Sequence, residues 1–290
     1  MLKKTKRNFN SVMLSIIVIT TDRIPLLERF FLSLCRQTCA EFEVVVVHNL
    51  SISQQDTSFL RNNLSKFAVR VYQSVDNCLS RSRNLALSRI RGDIFCIADD
   101  DCLYEPDTVE NVLDAFRKNP AVYGIMGQHI GPEEGGVKRK AEYSLLNSHD
   151  LFRACPSYVH FYRTKILASV GFFDETLGVG CGTPYQSGEE TDFALRTLRA
   201  GFAIARASAV LVRHPHENLR SPFLKRKVRA YAVGRMHLLR KHQCSPLFVA
   251  ANILYPLVAL PCECCVACAA IVRYRWTMFW ERLRNVKDRK

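Results

Sequence analysis

Three adjacent carboxylates, Asp99, Asp100 and Asp101, follow an apolar run, Asp93–Ala98 (DIFCIA). Side by side they repel one another unless a cation neutralises them. Alternate residues of an extended chain point the same way, so Asp99 and Asp101 can face one ion. Hard carboxylate oxygens suit Mg2+ or Mn2+, with substrate phosphates completing the coordination. The bland alternative is an acidic turn before a helix capped by Asp107.

Three further groups carry chemistry of their own. Ser187-Gly188-Glu189-Glu190-Thr191-Asp192 places carboxylates at a helix start. There Glu190 can act as a general base or, with Ser187, as an S-x-x-E capping box, and the two roles are compatible. His214 follows an apolar strand and can either complete a metal shell or serve the structure. Arg81 and Arg83, in Arg81-Ser82-Arg83-Asn84, can hold a phosphate or a base or form an ordinary charged helix face.

These residues need elements to position them. Leu14–Thr20 (LSIIVIT) and Glu43–Val47 (EVVVV) are short β-branched runs that fit buried parallel strands. Between them Leu26, Leu27, Phe30, Phe31 and Leu34 keep helical spacing over Pro25–Gln37, with Pro25 suited to the first turn. The pattern predicts a helix over Ser53–Lys66, a strand over Val69–Gln73, a helix over Ser80–Arg89 and a strand over Asp93–Ala98. After these come a helix over Asp107–Lys118, a strand over Val122–Gln128, a loop over Ile130–Asp150, a helix from Ser187 to Gly201, and one or two strands over Phe202–Val212. Such alternation indicates an α/β, mostly parallel sheet with helices on both faces. Ligands then sit beyond the C-terminal strand ends. The candidate loops are therefore Thr20–Arg23, His48–Asn49 and Asp99–Asp101.

The 290 residues carry 41 Lys and Arg against 27 Asp and Glu, a net charge of +14. That excess calls for an anionic partner. One basic block is the N-terminal tail with Lys3, Lys4, Lys6 and Arg7; a larger one runs from Arg213 to Lys241. Pro246–Val272 holds a single charged residue, Glu263, and is long enough for a bilayer, which takes about 20 apolar residues. Pro256 and Pro261 interrupt it, so spanning, interfacial and buried-hairpin forms all remain open. Trp276, Trp280 and the nearby arginines form an amphipathic tail suited to a membrane interface. No zinc-finger or RNA-binding signature is present, so nucleic acid is not expected as a partner. The 12 cysteines are irregularly spaced; with no secretory signal before them, they read as reduced thiols in a membrane-associated protein with a cytoplasmic catalytic domain.

Taken together, these segments resemble the family 2 glycosyltransferases from about Leu14 to Lys241. Ser15–Arg23 resembles the family's S-I-I-I-P-T-Y-N-R opening. Ser80–Asp101 (SRSRNLALSRIRGDIFCIADDD) resembles its R-N-x-G…A-x-G-D…F-x-D-D-D stretch, and Phe172–Phe202 its acceptor-side stretch with an E-D motif. The resemblance implies a GT-A, Rossmann-like fold and an inverting transfer from a nucleoside-diphosphate sugar to a saccharide or lipid-linked acceptor. It implies that Asp99, Asp101 and His214 bind Mn2+ or Mg2+. Thr20, Thr21, Arg23, Asn49, Arg83, Asp99 and Asp100 would line the donor pocket. Glu190 would stand at the family's Asp base, preceded by Glu189. Thr21 replaces the family's first-loop aromatic, and His48-Asn49 replace its acidic pair, so the nucleoside is left open. The expected organisation is a basic tail over 1–11, a catalytic domain over 12–220 and a basic, helical, membrane-associated region over 221–290. A nucleotidyltransferase is disfavoured by the glycine-free first loop. A non-catalytic sugar-nucleotide-binding protein on a decayed scaffold is the other rival.

Overall fold

Residues 12–21, 23–48, 67–131, 143–153, 156–216, 224–258 and 269–286 are described by a computed structural model. The expected helix over Ser53–Lys66, along with Asn49 and the N-terminal tail, lies outside the described residues.

The strands β1 (Leu14–Thr20), β2 (Phe42–His48), β3 (Ala68–Gln73) and β4 (Ile94–Asp99) form where the β-branched runs predict them. They pair in parallel in the order β3-β2-β1-β4. Successive residues of β1 point to opposite faces, yet Leu14, Ile16, Ile17 and Val18 are all fully buried. Covering both faces is what a parallel sheet requires. One face packs on helix α1 (Ile24–Leu34) through Leu27, Phe30, Phe31 and Leu34, the residues at helical spacing. Pro25 sits in the first turn of α1, where its missing N–H costs nothing.

The second half of the sheet departs from simple alternation. Past β4 come β8 (His160–Arg163), antiparallel to β4, then β6 (Val122–Ile130) and β9 (Ala203–Arg213). β6 and β9 run parallel to each other. Two short strands, β5 (Leu103–Tyr104) and β7 (Tyr143–Leu145), pair antiparallel with β9. The one or two strands expected over Phe202–Val212 are thus one long strand, Ala203–Arg213, with two register shifts where it pairs with β6. Helix α2 (Leu79–Leu87) precedes β4, and α3 (Thr108–Lys118) precedes β6. Asp107 occupies the N-cap of α3, but its side chain makes no capping bond. A capping box that the sequence reading did not identify opens the short helix α4 (Ser148–Leu151), where Asn147 and Asp150 bond each other's backbone N–H. A second short helix, α5, spans Leu167–Val170.

At the N-terminal strand ends a buried polar network ties three strands together. Ser15 Oγ donates to Glu43 Oε1 at 2.7 Å, Arg70 pairs with Glu43 Oε2 at 2.6 Å, and Gly92 N donates to Ser15 Oγ at 2.8 Å. A Cβ on Gly92 would lie 2.6 Å from Ser15 Oγ and 2.7 Å from the carbonyl oxygen of Met13, so only glycine fits.

The chain divides into two compact units. The first draws on Met1–Asp76, Ser82–Phe172 and Phe193–Pro215 and holds the whole sheet; the second draws on Asn77–Arg81, Phe173–Asp192 and His216–Lys290. Helix α6 (Glu189–Arg199) starts in the second unit, two residues after the expected Ser187. Ser187 Oγ instead donates to the carbonyl oxygen of Ala230 at 3.3 Å. The second unit also holds α7 (Leu224–Lys241), α8 (Pro246–Val258) and α9 (Ala269–Arg284), with α9 packed on both of the others. Buried Asp192 pairs with Lys241 Nζ at 2.6 Å and lies within hydrogen-bond distance of His242 Nε2 at 2.9 Å. Lys241 also reaches Asp174 at 2.6 Å.

Two expectations are corrected here. Cys78 and Cys181 form a disulfide, so the twelve cysteines are not all reduced thiols. The partners are 103 residues apart, and the segments that carry them meet where Leu79 N donates to the Val179 carbonyl oxygen at 2.9 Å and Ser80 Oγ to that of Leu177 at 2.6 Å. Gly180 has φ +76°, and a Cβ there would sit 2.1 Å from the carbonyl oxygen of Asn77. Second, Pro256 does not break the apolar run, because α8 continues through it to Val258. The missing N–H of Pro256 leaves the carbonyl oxygen of Asn252, four residues back, without its helical donor, and Arg282 donates to that oxygen instead. Among the described residues no helix is long and apolar enough to cross a membrane, so a spanning segment has no support there. Pro261 and Glu263 lie outside the described residues.

Candidate active site

The parallel register of β1 and β4 sets the site. Ile19 lies opposite Asp99, so Thr20 at the end of β1 stands beside the turn that carries Asp100 and Asp101. Thr20 Oγ1 donates to Asp100 Oδ2 at 2.7 Å, and both side chains are buried. Arg23, just before α1, reaches Asp100 Oδ1 at 3.0 Å and also bonds Asp101 Oδ2. Asp100 therefore organises the turn and does not face an ion. Burial raises its carboxyl above the ordinary carboxylate range, against the Thr20 bond and the Arg23 charge, while Asp101 and Asp99 add to the rise.

β5 follows the turn directly and completes the geometry. Leu103 pairs with Arg213 and Tyr104 with Val212, which brings the residue after β9, His214, against the turn. His214 Nε2 lies 3.1 Å from Asp101 Oδ1 and 3.5 Å from Asp99 Oδ2. The Nδ1–H of His214 donates to the carbonyl oxygen of Pro215 at 2.7 Å, which leaves Nε2 to face the carboxylates. Tyr158 stacks on the imidazole with ring centres 4.2 Å apart and planes 4° apart, and its hydroxyl meets His129 Nδ1 at 3.0 Å. A shallow depression lined by Leu26, Arg29, Leu103 and Arg213 opens beside Asp101 and His214.

The donor set fits a divalent cation. Ligand atoms from Asp99, Asp101 and His214 fall within 4.8 Å of one another. Ligands at right angles about an ion with bonds near 2.1 Å are about 3.0 Å apart, close to the observed 3.1 and 3.5 Å. Asp101 Oδ1 is cut off from solvent and faces the His214 imidazole 3.1 Å away. Without an ion, a proton on His214 takes its place. Burial would lower the imidazole, but the bonds to Asp101 and Asp99 outweigh it and raise it to about 9. Burial would raise Asp101, but bonds from His214 and Arg23 hold it down at about 2.

The structure thus brings together Thr20, Arg23, Asp99, Asp100, Asp101 and His214. Thr21 is exposed at the end of β1. Arg83 is not among them: it is buried and donates to Ser157 Oγ at 3.2 Å. Burial of His160 foremost, and then the charge of Arg83, push the His160 imidazole down to about 3. Glu189 and Glu190 open α6 in the second unit. Tyr158 and His129 were not visible from sequence; they come from a 3-10 turn (Ser157–Val159) and from β6, without any motif.

Comparison with known proteins identifies the family and the fold. The family model for glycosyl transferase family 2 matches residues 15–185, more than half of the chain. An uncharacterized glycosyltransferase of Bacillus subtilis, YwdF, is 23% identical over 168 residues, covering 56% of this chain and 62% of that protein. An uncharacterized glycosyltransferase of Haemophilus influenzae is 30% identical over 118 residues, covering 38% of this chain and 36% of that protein. The chain thus spans less than two thirds of the length of these curated relatives. Among solved structures, the Pyrobaculum calidifontis mannosyltransferase PcManGT, in complex with GDP-Man and Mn2+, aligns with TM-score 0.64 at 16% identity, covering 97% of this chain and 89% of that one. Staphylococcus aureus TarS 1-349, in complex with UDP-GlcNAc, aligns with TM-score 0.58 at 17% identity, covering 96% and 93%. At such identities the likeness shows the fold, a mixed α/β sheet of the GT-A kind. The chain belongs to glycosyl transferase family 2.

Proposed function

We propose that the chain moves a glycosyl group, with inversion, from a nucleoside-diphosphate sugar to a hydroxyl of a saccharide or lipid-linked acceptor, in polysaccharide or cell-surface glycan synthesis. The observation that carries this reading is the Asp99, Asp101 and His214 cluster at the C-terminal end of the parallel strands. Those three side chains would hold Mn2+ or Mg2+, which when bound would offset the charge of a diphosphate leaving group. Thr20 and Arg23 fix Asp100 and Asp101 so that the turn is organised before substrate arrives. Arg23 remains partly exposed, with N–H groups to offer an anion. Thr21, Arg83 and Asn49 are assigned to the donor pocket through the family resemblance alone.

Glu190 is proposed as the base, with Glu189 beside it. It takes the proton from the acceptor hydroxyl as that oxygen bonds to the anomeric carbon and the bond to the diphosphate breaks. PcManGT with GDP-Man and TarS with UDP-GlcNAc support a nucleotide-sugar donor but differ in nucleoside and sugar. The donor of this chain is therefore kept at the class level. A cytoplasmic catalytic domain is part of the proposal, although disulfides such as Cys78–Cys181 are rare in the cytosol. Protease protection in intact and permeabilised cells checks it: digestion of the catalytic domain by protease added to intact cells would oppose that location. The reaction itself is tested with Glu190→Gln and with product NMR. Loss of roughly 100- to 10,000-fold in kcat with donor affinity kept, and an inverted anomeric centre in the wild-type product, are expected. Undiminished turnover, or retention of configuration, would refute the assignment.

A further inference from the structure

The second unit carries an apolar surface that the transfer chemistry does not use. Helix α8 turns Ile253 and Pro256 inward, while Leu247, Leu254, Tyr255 and Val258 are 82%, 51%, 56% and 71% exposed. These four recur at helical spacing and form one stripe. Helix α9 does the same. Met278 is buried, whereas Trp276 and Trp280 are 50% and 40% exposed, with their rings 5.9 Å apart. The guanidinium of Arg275 lies 5.6 Å from the Tyr255 ring centre, and Arg282 bonds the carbonyl oxygen of Asn252, so α8 and α9 form one packed pair. Contiguous exposed apolar surface of this kind marks an interaction face.

Charge identifies what covers it. Residues 224–286 contain eleven Lys and Arg against two acidic residues, Glu263 and Glu281. Lys225, Arg226, Lys227, Arg229, Arg273 and Arg284 are exposed. Tryptophan and tyrosine beside arginine, next to aliphatic residues, match the layer between lipid headgroups and acyl chains. Over the described residues, the lengths of the helices favour lying in a surface over crossing it. At 13 and 16 residues, α8 and α9 are about 20 and 24 Å long, short of the roughly 30 Å of a hydrocarbon core.

We infer that α8 and α9 lie in the plane of an anionic lipid bilayer surface, with Trp276, Trp280, Tyr255 and Leu254 inserted among the headgroups and the flanking arginines on the lipid phosphates. This docking rests on the exposed stripes and the charge, and not on the transferase assignment; donor binding can be intact whether or not it holds.

The chain has two tryptophans, and both lie on this face, so their fluorescence reports the docking directly. The full-length protein is mixed with phosphatidylcholine vesicles with and without 30% phosphatidylglycerol, using lipids brominated at shallow or deep acyl positions. Expected are a blue shift and stronger quenching by shallow bromines, on anionic vesicles only. Partitioning measured by sedimentation falls at least tenfold in 0.5 M NaCl and in Leu254→Ser/Tyr255→Ser, a variant of exposed positions that keeps both reporters and does not threaten the fold. No shift on anionic vesicles, or equal binding to neutral ones, would overturn the inference. Stronger quenching by deep bromines would do the same, since it means spanning. So would a concentration-dependent dimer with shielded tryptophans in the absence of lipid, since a second copy would then own the face.

Discussion

His214 must lose a proton before it can bind a cation, and the structure sets how hard that is. In the ion-free protein its imidazole is held protonated up to about 9 by Asp101 and Asp99, against burial that alone would lower it. A cation competes with that proton, so below about pH 9 each unit of acidification weakens binding tenfold. At pH 7 about one molecule in a hundred is deprotonated, and apparent affinity is about 100-fold below its ceiling, a cost of about 2.7 kcal/mol. Mn2+ titrations followed by electron paramagnetic resonance at pH 6.5, 7.5 and 8.5 should therefore show the dissociation constant falling about tenfold per step. His214→Ala binds more weakly at pH 8.5 but loses most of this slope, because the imidazole proton that competes with the cation is gone. A wild-type affinity that is flat across this range would refute the linkage between His214 and the cation site. So would a slope that survives unchanged in His214→Ala.

Three other outcomes follow from the same structure. The ion-free protein should lose stability between about pH 6.5 and 9, by no more than about 3 kcal/mol. A raised imidazole stabilises fully below its unfolded value and stops doing so as pH passes its folded value, about 9; thermal melts in a chelator check it, and a rise in stability over that range would contradict it. Gly92→Ala forces a methyl group to within 2.7 Å of the carbonyl oxygen of Met13 and displaces the bond between Gly92 N and Ser15 Oγ. A loss of about 1–3 kcal/mol in denaturant unfolding is expected, and an unchanged midpoint would contradict the packing. Reducing Cys78–Cys181 releases a loop spanning 103 positions, worth up to about 4.7 kcal/mol in the chain-entropy account. The melting temperature should drop with a phosphine reductant in the wild type but not in Cys78→Ser/Cys181→Ser, and alkylation of both thiols without reductant would contradict the bond.

The first half of the sheet was legible because its determinants are local. β1, β2 and β4 are runs of apolar residues buried on both faces, and α1 repeats its apolar residues at 27, 30, 31 and 34. The acidic turn was legible for the same reason, since a charged triplet directly after such a run can only stand at a strand end. The second half was not. β5 is two residues long, β7 three and β8 four, too short for a period to show, and their pairing is set by contacts distant in sequence. The two-residue β5 is nonetheless what holds His214 against Asp101. Tyr158 carried no signal because an aromatic under an imidazole is defined only by the fold. Arg83 was read from a motif, and its burial beside Ser157 depends on tertiary packing that a motif does not express.

The central claim is that Asp99, Asp101 and His214 hold a cation on which donor binding depends. Binding and hydrolysis of UDP-, GDP- and dTDP-sugars, with and without Mn2+, should be measured for the wild type and Asp101→Ala. The account predicts that one donor binds or turns over only with the metal, and that Asp101→Ala abolishes this while remaining folded. Metal-independent binding, or a donor bound equally well by Asp101→Ala, would contradict it.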